Sequence, residues 1–123
     1  HGARPHIHVD DTRRTVASLA DADGAILVSE VTDTVKRIGE RGLVVETVGR
    51  GSLRLAQTPQ VFSLWALEFA WSVRDPAAVF SDEAMLLESA GRKIRCVAAE
   101  HPNPKLTTAG DIAVIRALAG VAP

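Results

Sequence analysis

Two cationic side chains occupy positions from which they could hold a phosphate. Lys105 lies in a proline-rich loop just before a predicted helix, and a helix N-terminus adds partial positive charge at such a place. Arg50 lies between Gly49 and Gly51, and its guanidinium can grip a phosphate through two parallel hydrogen bonds. Taken alone, each is more often an ordinary surface cation, so the two together indicate only a candidate anion site.

A threonine hydroxyl is the third candidate. In the segment 57–60, Pro59 fixes its own φ and biases Thr58 toward an extended conformation. The Thr58 hydroxyl could then point from a strand end into a cleft and donate to a phosphate or a sugar hydroxyl. The simpler alternative is a loop that leads into the helix that Ser63 is expected to cap.

Further polar residues carry weaker signals. Thr34 and Lys36 lie two apart on a predicted strand and therefore face the same side. Ser81 is most simply the N-cap of a helix, and a ligand for phosphate or hydroxyl is its second interpretation. Three histidines lie near the N-terminus: His1, His6 and His8. They could bind zinc, but no cysteine accompanies them, so a metal site is not the favoured interpretation.

The elements that would position these residues alternate between helices and strands. Asp10 or Asp11 is expected to cap a helix that runs to about Ala20. The unbroken apolar run 25–28 then predicts a buried strand of a parallel sheet. Strands alternating with helices predict an α/β layer structure.

A hairpin interrupts this alternation. Segments 34–38 and 43–48 flank the glycine-bounded turn 39–42, which is typical of two paired strands. Its exposed residues would include Val44, Val45 and Val48, which would favour a partner surface. The hairpin is therefore either a dimerisation arm or an ordinary edge hairpin.

Several side chains have a predicted environment without a predicted role in chemistry. Trp65 and Trp71 are expected in the core, on the helix that follows Ser63. Cys96 is expected to be a small buried hydrophobe in a strand. His101 is expected to be a solvated loop residue.

Composition limits the class of protein. The chain has 123 residues, is 46% hydrophobic and 24% charged, and fits one globular domain. Its formal net charge of -1 gives no indication of a nucleic-acid or membrane surface. The single cysteine excludes an intrachain disulfide and favours a reducing compartment. The sequence opens at His1 without a methionine, which suggests a fragment or a processed product.

Read together, six segments resemble the 2-C-methyl-D-erythritol 4-phosphate cytidylyltransferase family, from its His-Asp-Ala-Ala-Arg-Pro motif to its C-terminus. In family order they are His1-Gly2-Ala3-Arg4-Pro5, Asp33-Thr34-Val35-Lys36, Thr47-Val48-Gly49-Arg50, Gln57-Thr58-Pro59-Gln60-Val61-Phe62, Ser81-Asp82-Glu83-Ala84 and Asn103-Pro104-Lys105-Leu106-Thr107. The combination is specific, although each motif alone is not.

The resemblance implies the fold and the reaction. It implies a Rossmann-like, mostly parallel sheet flanked by helices with a projecting β-arm, of which residues 1–123 are the C-terminal part and about 33–50 the dimerisation arm. The implied reaction transfers CMP from CTP to methylerythritol phosphate with Mg²⁺ and releases pyrophosphate, in non-mevalonate isoprenoid precursor synthesis. The implied partners are these two substrates and a second copy of the chain, with no nucleic acid and no membrane. The implied location is the bacterial cytoplasm, or the plastid in a plant.

The resemblance also implies a substrate site. Carried over by position, five residues would line the methylerythritol phosphate site: Arg4, Thr34, Thr58, Ser81 and Lys105. Arg50, at the base of the arm, would reach the site of the partner subunit. No catalytic residue is assigned in this segment, and Lys105 is the single candidate.

Two departures from the family limit the expected activity. His1 stands where the family has an aspartate, and a histidine does not replace an anionic oxygen ligand for Mg²⁺. No metal ligand is therefore assigned. The glycine-rich loop that holds the CTP phosphates has no counterpart in the sequence, so the isolated chain is expected to be inactive.

Two other functions fit the same residues. A sister cytidylyltransferase could act on another alditol phosphate, such as ribitol 5-phosphate. Alternatively, the chain could be a noncatalytic module for dimerisation or sugar-phosphate binding. A glycine-rich loop with arginine and lysine upstream of residue 1 would favour the enzyme.

Overall fold

The computed structural model describes residues 3–120, which form helices and strands in alternation around a small sheet. In chain order the elements are α1 (Val9–Ala17), a 3-10 helix (Ser18–Asp21), β1 (Gly24–Glu30), β2 (Val35–Ile38), a second 3-10 helix (Glu40–Gly42), β3 (Val44–Val48), β4 (Arg54–Phe62), α2 (Leu64–Val73), α3 (Glu83–Ser89), β5 (Ile94–Ala98) and α4 (Asp111–Leu118). Within residues 3–120, no helix combines the length and the apolar character needed to cross a membrane.

The main sheet is built around β1. Residues 25–28 are all buried, as their unbroken apolar run predicts. The strand order is β4-β1-β5, with β1 parallel to β5 and antiparallel to β4. The α/β class is therefore confirmed, and the described sheet is mixed, with a parallel and an antiparallel pair.

Packing on β1 fixes the neighbouring elements. Ile26 and Val28 cluster with Ala84 of α3, while Leu27 clusters with Val97 of β5. The helices α2 and α3 meet in a cluster of four buried residues: Ala66, Ala70, Leu86 and Leu87. Phe62, the last residue of β4, packs against this cluster as well. The start of α3 is consequently held close to the end of β4, and this proximity matters for the site.

The predicted hairpin is confirmed as a separate two-stranded sheet of β2 and β3. Its turn contains two consecutive residues with positive φ, Arg41 at 59° and Gly42 at 75°. Gly42 adopts this left-handed conformation without a steric penalty, whereas Arg41 does so against its preference. The glycine-bounded segment thus closes the hairpin where the sequence pattern indicates.

The hairpin exposes apolar side chains, as predicted for two of its three valines. Val44 is 58% and Val45 is 64% exposed, and Leu43 beside them is 69% exposed. Val48, at the base of the hairpin, is less exposed than predicted, because it is half-buried. The outer part of the hairpin is therefore an unpartnered apolar surface.

The environments predicted for four side chains are wrong. Trp65 and Trp71 are 60% and 58% exposed and do not lie in the core. Cys96 is exposed on β5, which pairs only with β1 among the described strands. His101 is half-buried, and its ring stacks on that of His8 with centroids 3.4 Å apart. The polarity of a side chain does not by itself determine whether other elements pack over it, and this is why these predictions fail.

The N-terminus of α1 also differs from its prediction. His8, and neither Asp10 nor Asp11, is the N-cap, and its Nδ1 accepts from Asp10 N at 3.3 Å. Asp11 is 1% exposed, and its carboxylate accepts instead from the backbone of Glu100 and His101, both at 3.2 Å. The carboxylate expected to cap its own helix therefore ties down the loop after β5. The helix itself ends at Ala17, before the predicted Ala20, and continues as a 3-10 turn.

Candidate functional site

A cleft of about 790 Å³ opens beside β4 and the start of α3. Four of the six predicted substrate-binding residues line it: Arg4, Thr58, Ser81 and Lys105. They come from four separate segments, namely the N-terminal stretch, β4, the loop before α3 and the loop after β5. Two cationic residues and two residues with hydroxyl groups therefore line one concave surface, which is a suitable arrangement for an anion that also carries hydroxyls.

Thr58 reaches the cleft through an irregularity in β4. Ile26 of β1 pairs with Gln60 and Val28 with Ala56, so two steps along β1 correspond to four along β4. The extra residues leave the regular ladder, as in a β-bulge, and bulges often redirect a side chain toward a site. The Thr58 hydroxyl is buried and finds no hydrogen-bond partner among residues 3–120. Its donor and acceptor capacity is therefore unused by the protein.

The two cations of the cleft are held differently. The Arg4 guanidinium is half-buried and donates to the backbone oxygen of Asn103. Desolvation by burial lowers the pKa of Arg4 from its ordinary value, and the side chain remains charged at neutral pH. Lys105 is exposed and makes no salt bridge in the part of the chain that the structure describes. Its ammonium is thus available to an anionic ligand.

A backbone hydrogen bond joins the segments that carry these cations. Leu106 N donates to Ala3 O at 2.6 Å, so the residues next to Lys105 and Arg4 lie side by side. The N-terminal stretch and the loop after β5 are consequently one structural unit at the edge of the cleft.

The predicted role of Ser81 as the N-cap of α3 is wrong. Asp82 is the N-cap, and its Oδ1 accepts from Met85 N at 2.9 Å. Its Oδ2 accepts from Gln60 Nε2 of β4 at 3.0 Å. Because Asp82 takes the capping position, the Ser81 hydroxyl is exposed at the cleft, where its single contact is a weak one to Met85 Sδ at 3.6 Å. The exposed position of this hydroxyl favours the second interpretation of Ser81, a ligand for a hydroxyl or phosphate.

The cleft divides into polar and apolar surfaces. Besides the residues above, aromatic and aliphatic side chains line it: Phe62, Trp71, Phe80 and Leu86. Asp82 and Glu83 add carboxylates close to Ser81. Carboxylates accept hydrogen bonds from hydroxyls, whereas Arg4 and Lys105 attract phosphate. The lining thus suits a small polyol with a phosphate group better than it suits a purely apolar ligand.

The other two predicted residues lie outside this cleft. Thr34 is exposed just before β2, and Arg50 is exposed just after β3. The Arg50 guanidinium donates to Thr32 O, which holds it at the base of the hairpin. Within one chain, the structure therefore does not bring Thr34 and Arg50 together with the other four.

Sequence reasoning missed three polar residues of the cleft region. Gln60 and Asp82 join β4 to α3, and Asn103 joins the loop after β5 to β4. All three belong to the motifs that carry the family resemblance, yet a role was assigned only to their neighbours. No local signal distinguishes them, because each makes its contact with a residue distant in the sequence.

The described residues of the cleft do not fit a magnesium ion. No group of three or more histidine, cysteine, aspartate or glutamate side chains that could hold a metal ion occurs in residues 3–120. Both oxygens of Asp82 already accept hydrogen bonds from the protein. Mg²⁺ takes octahedral oxygen ligands, usually one or two carboxylates together with waters and substrate phosphates, so these protein residues do not by themselves form a magnesium site. His1 and Gly2, where the sequence departs from the family motif, lie outside the described residues.

Comparison with known proteins agrees with the resemblance that the sequence motifs carry. The sequence model of the family described as IspD, 2-C-methyl-D-erythritol 4-phosphate cytidylyltransferase, matches residues 1–120. The chain is 37% identical to the enzyme of that name from Geobacter metallireducens and covers 50% of it, with 94% of this chain aligned. It is 40% identical to the one from Pseudomonas fluorescens (strain Pf0-1), with 93% of this chain and 49% of the relative aligned.

A solved structure agrees with these sequence matches. The crystal structure of 2-C-methyl-D-erythritol 4-phosphate cytidylyltransferase from Thermus thermophilus superposes with a TM-score of 0.84 at 30% identity. The match covers 97% of this chain and 59% of that one. The chain therefore spans about half the length of the curated relatives it matches.

Proposed function

Because this chain belongs to the 2-C-methyl-D-erythritol 4-phosphate cytidylyltransferase family, we propose that it supplies the sugar-phosphate site of an enzyme that transfers CMP from CTP to methylerythritol phosphate. The observation that carries the proposal is the convergence of Arg4, Thr58, Ser81 and Lys105 on one cleft. The relatives that carry the name of this reaction are about twice as long as this chain, so family membership alone does not say which step these residues serve. The cleft supports a role for them in binding the sugar phosphate.

The chemistry of the proposed reaction asks little of these residues beyond charge and alignment. The phosphate of the sugar is itself the nucleophile, and its oxygen displaces pyrophosphate from CTP. Lys105 and Arg4 neutralise the sugar phosphate and hold it in position, and the hydroxyls of Thr58 and Ser81 bond to it or to the polyol. Positioning and neutralisation are the main contributions that a protein makes to transfer between phosphates.

The nucleotide side of the reaction falls outside the described cleft. The CTP-binding groups, and the oxygen ligands of the Mg²⁺ that the resemblance implies, would come from groups other than the lining of this cleft.

We also propose that the enzyme works in the cytoplasm, as the resemblance implies.

The proposed activity is tested by pyrophosphate release. The full-length gene product is incubated with CTP and methylerythritol phosphate, and release is followed by a coupled assay. We expect CTP-dependent release that requires the sugar phosphate. Faster turnover with ribitol 5-phosphate would assign the protein to the sister activity. Binding of either sugar phosphate without release would assign it to a noncatalytic module.

We further propose that the β2–β3 hairpin joins two copies of the chain. Leu43, Val44 and Val45 expose their side chains, and such a surface favours a partner. Arg50 lies at the base of the same hairpin and, in a dimer formed by the hairpin, would reach the cleft of the partner subunit. This assembly would also account for the separation of Thr34 and Arg50 from the other four site residues.

The arm proposal predicts a change of oligomeric state. Substituting Val44→Asp and Val45→Asp together is expected to convert a dimer to a monomer, because two buried charges at the interface would be unpaired. Light scattering coupled to size exclusion measures the mass. Val79→Asp is the matched control, since Val79 is 87% exposed and lies outside the hairpin. A double variant that stays dimeric would rule out the hairpin as the interface.

A further inference from the structure

Asn103 is a buried polar side chain that bonds to two residues lining the cleft, Gln57 and Thr58. It is 7% exposed, in a loop that is otherwise half-buried or exposed around it. Prolines precede and follow it, so its backbone has little freedom. A buried amide is costly unless its hydrogen bonds are made. The Nδ2 of Asn103 makes such bonds, whereas its Oδ1 is buried and has no partner among residues 3–120, so the donor side of the amide indicates why it is present.

The side chain of Asn103 binds the bulge of β4. Its Nδ2 donates to Thr58 O at 2.6 Å and to Gln57 Oε1 at 3.3 Å. Thr58 lies between the last regular pairs on either side of the bulge and has no Cα partner on β1 in the register. Asn103 supplies a donor to the carbonyl of this unpaired residue. The amide thereby fixes the backbone from which the Thr58 hydroxyl projects.

The main chain of Asn103 binds a second site residue. Its carbonyl oxygen accepts from the guanidinium of Arg4. Lys105 follows two residues later, in the same loop. One residue therefore contacts the segments of Thr58 and Arg4 and is nearly adjacent to Lys105.

We propose that Asn103 is a positioning residue that sets Thr58, Arg4 and Lys105 relative to one another for binding of the sugar phosphate. This inference rests on the proposed function. Asn103 acts through its neighbours and makes no contact with the reacting atoms. A hydrogen-bond donor is required at its side chain, because the partner is a carbonyl oxygen. An aspartate of the same shape would place an acceptor against that oxygen and leave both unsatisfied.

The first test is Asn103→Asp in the full-length gene product, with steady-state kinetics for both substrates. We expect kcat/KM for the sugar phosphate to fall by about 10- to 100-fold, the loss typical of one hydrogen bond next to a buried unsatisfied group. We expect the KM for CTP to change by less than about 2-fold, since Asn103 contacts only the sugar-phosphate side. Equal losses for both substrates would indicate general misfolding and would overturn the inference.

The second test asks whether the effect passes through Thr58. In a double-mutant cycle, Thr58→Val is measured in the wild type and in Asn103→Asp. We expect its cost of about 10-fold in the wild type to shrink to less than about 3-fold in the variant, because the hydroxyl is already misplaced there. Ser81→Ala is the control at a cleft residue to which Asn103 makes no hydrogen bond, and its cost should be the same in both backgrounds. Full additivity of Thr58→Val would overturn the inference.

The outcomes separate the inference from the function on which it rests. A wild type that turns over no alditol phosphate contradicts the proposed function and, with it, this role of Asn103. An active wild type with an additive cycle contradicts only the role of Asn103. If Asn103→Asp melts below the assay temperature, Asn103→Ala, which removes the donor without burying a charge, takes its place under the same criteria.

Discussion

Replacing Lys105 with methionine is expected to lower kcat/KM for the sugar phosphate by about 100-fold, as for loss of a hydrogen bond to a charged group. Lys105 lines the cleft, is exposed, and makes no salt bridge within residues 3–120. Its removal therefore weakens the attraction for phosphate without removing a contact from the fold. The melting temperature should stay within about 2 °C of the wild type, as for other exposed substitutions.

The kinetic measurement needs a matched lysine elsewhere. Lys93 is exposed in the turn before β5 and does not line the cleft, so Lys93→Met should leave kcat/KM unchanged. Lys105→Arg should recover part of the activity, because arginine keeps the charge but presents it as a planar fork. If Lys105→Met and Lys93→Met behave alike, phosphate is not bound at this end of the cleft.

The second large effect is on stability. Asp11→Ala is expected to lower the free energy of unfolding by about 3 kcal/mol, the loss typical when one partner of a buried charged pair is removed. Asp11 is 1% exposed, and its carboxylate accepts from Arg14 and from the backbone N–H groups of Glu100 and His101. Removing it leaves these donors without their partner and frees the loop that leads to Asn103. Urea unfolding at neutral pH measures the change.

Asp10→Asn is the matched control for this experiment. The Asp10 side chain is 61% exposed, and its contacts to Arg13 and His8 are 3.6 and 3.8 Å long. Exposed pairs of this kind contribute about 0 to 1 kcal/mol. An Asp11→Ala variant no less stable than Asp10→Asn would show that the buried carboxylate does not hold the loop.

The pKa of Asp11 adds a dependence on pH. Burial by itself raises this pKa, but the hydrogen bonds from Arg14, Glu100 N and His101 outweigh burial, and the net pKa lies below the ordinary 3.8. Since the unfolded chain then binds a proton more readily, the stabilisation is complete above the ordinary pKa and is lost as the pH falls through the folded value. The stability difference between the wild type and Asp11→Asn should therefore be constant from about pH 7 to 5 and should shrink below about pH 4. A constant difference down to pH 3 would contradict this linkage.

Asp111 does not disturb this comparison. Hydrogen bonds from Thr107 and Thr108 lower its pKa to about 2, but both proteins in the comparison carry it. Its contribution therefore cancels in the difference. The same reasoning applies to every other acidic group that Asp11→Asn leaves in place.

Local signals in the sequence predicted local structure well. The run 25–28 is a buried strand, the glycine-bounded segment closes a hairpin, and Ser63 caps α2 through a hydrogen bond from Ala66 N at 3.3 Å. Gly91, just after α3, has a positive φ of 70°, which is common for glycine at the end of a helix. These features depend on the conformational preferences of a few adjacent residues, which the sequence states directly.

Capping of α3 shows where local signals become ambiguous. Ser81 and Asp82 are adjacent, and both residue types are good N-caps. The structure places Asp82 in that role, with its second oxygen bonded to Gln60 of β4. The partner that accompanies the cap lies 22 residues away, so no window around Ser81 contains it. Burial is ambiguous for the same reason, as the exposed Trp65 and Cys96 show.

The sequence by itself determined the family, the α/β class, the hairpin and the candidate residues, because motifs and periodicities are carried by neighbouring positions. Only the tertiary structure decided that Arg4, Thr58, Ser81 and Lys105 share one cleft and that Thr34 and Arg50 lie apart from it. It also revealed the bulge in β4 and the buried Asn103 that binds it. These features depend on contacts between residues far apart in the sequence, such as the hydrogen bonds from Asn103 to Thr58 and from Arg4 to Asn103, and no local preference encodes such contacts.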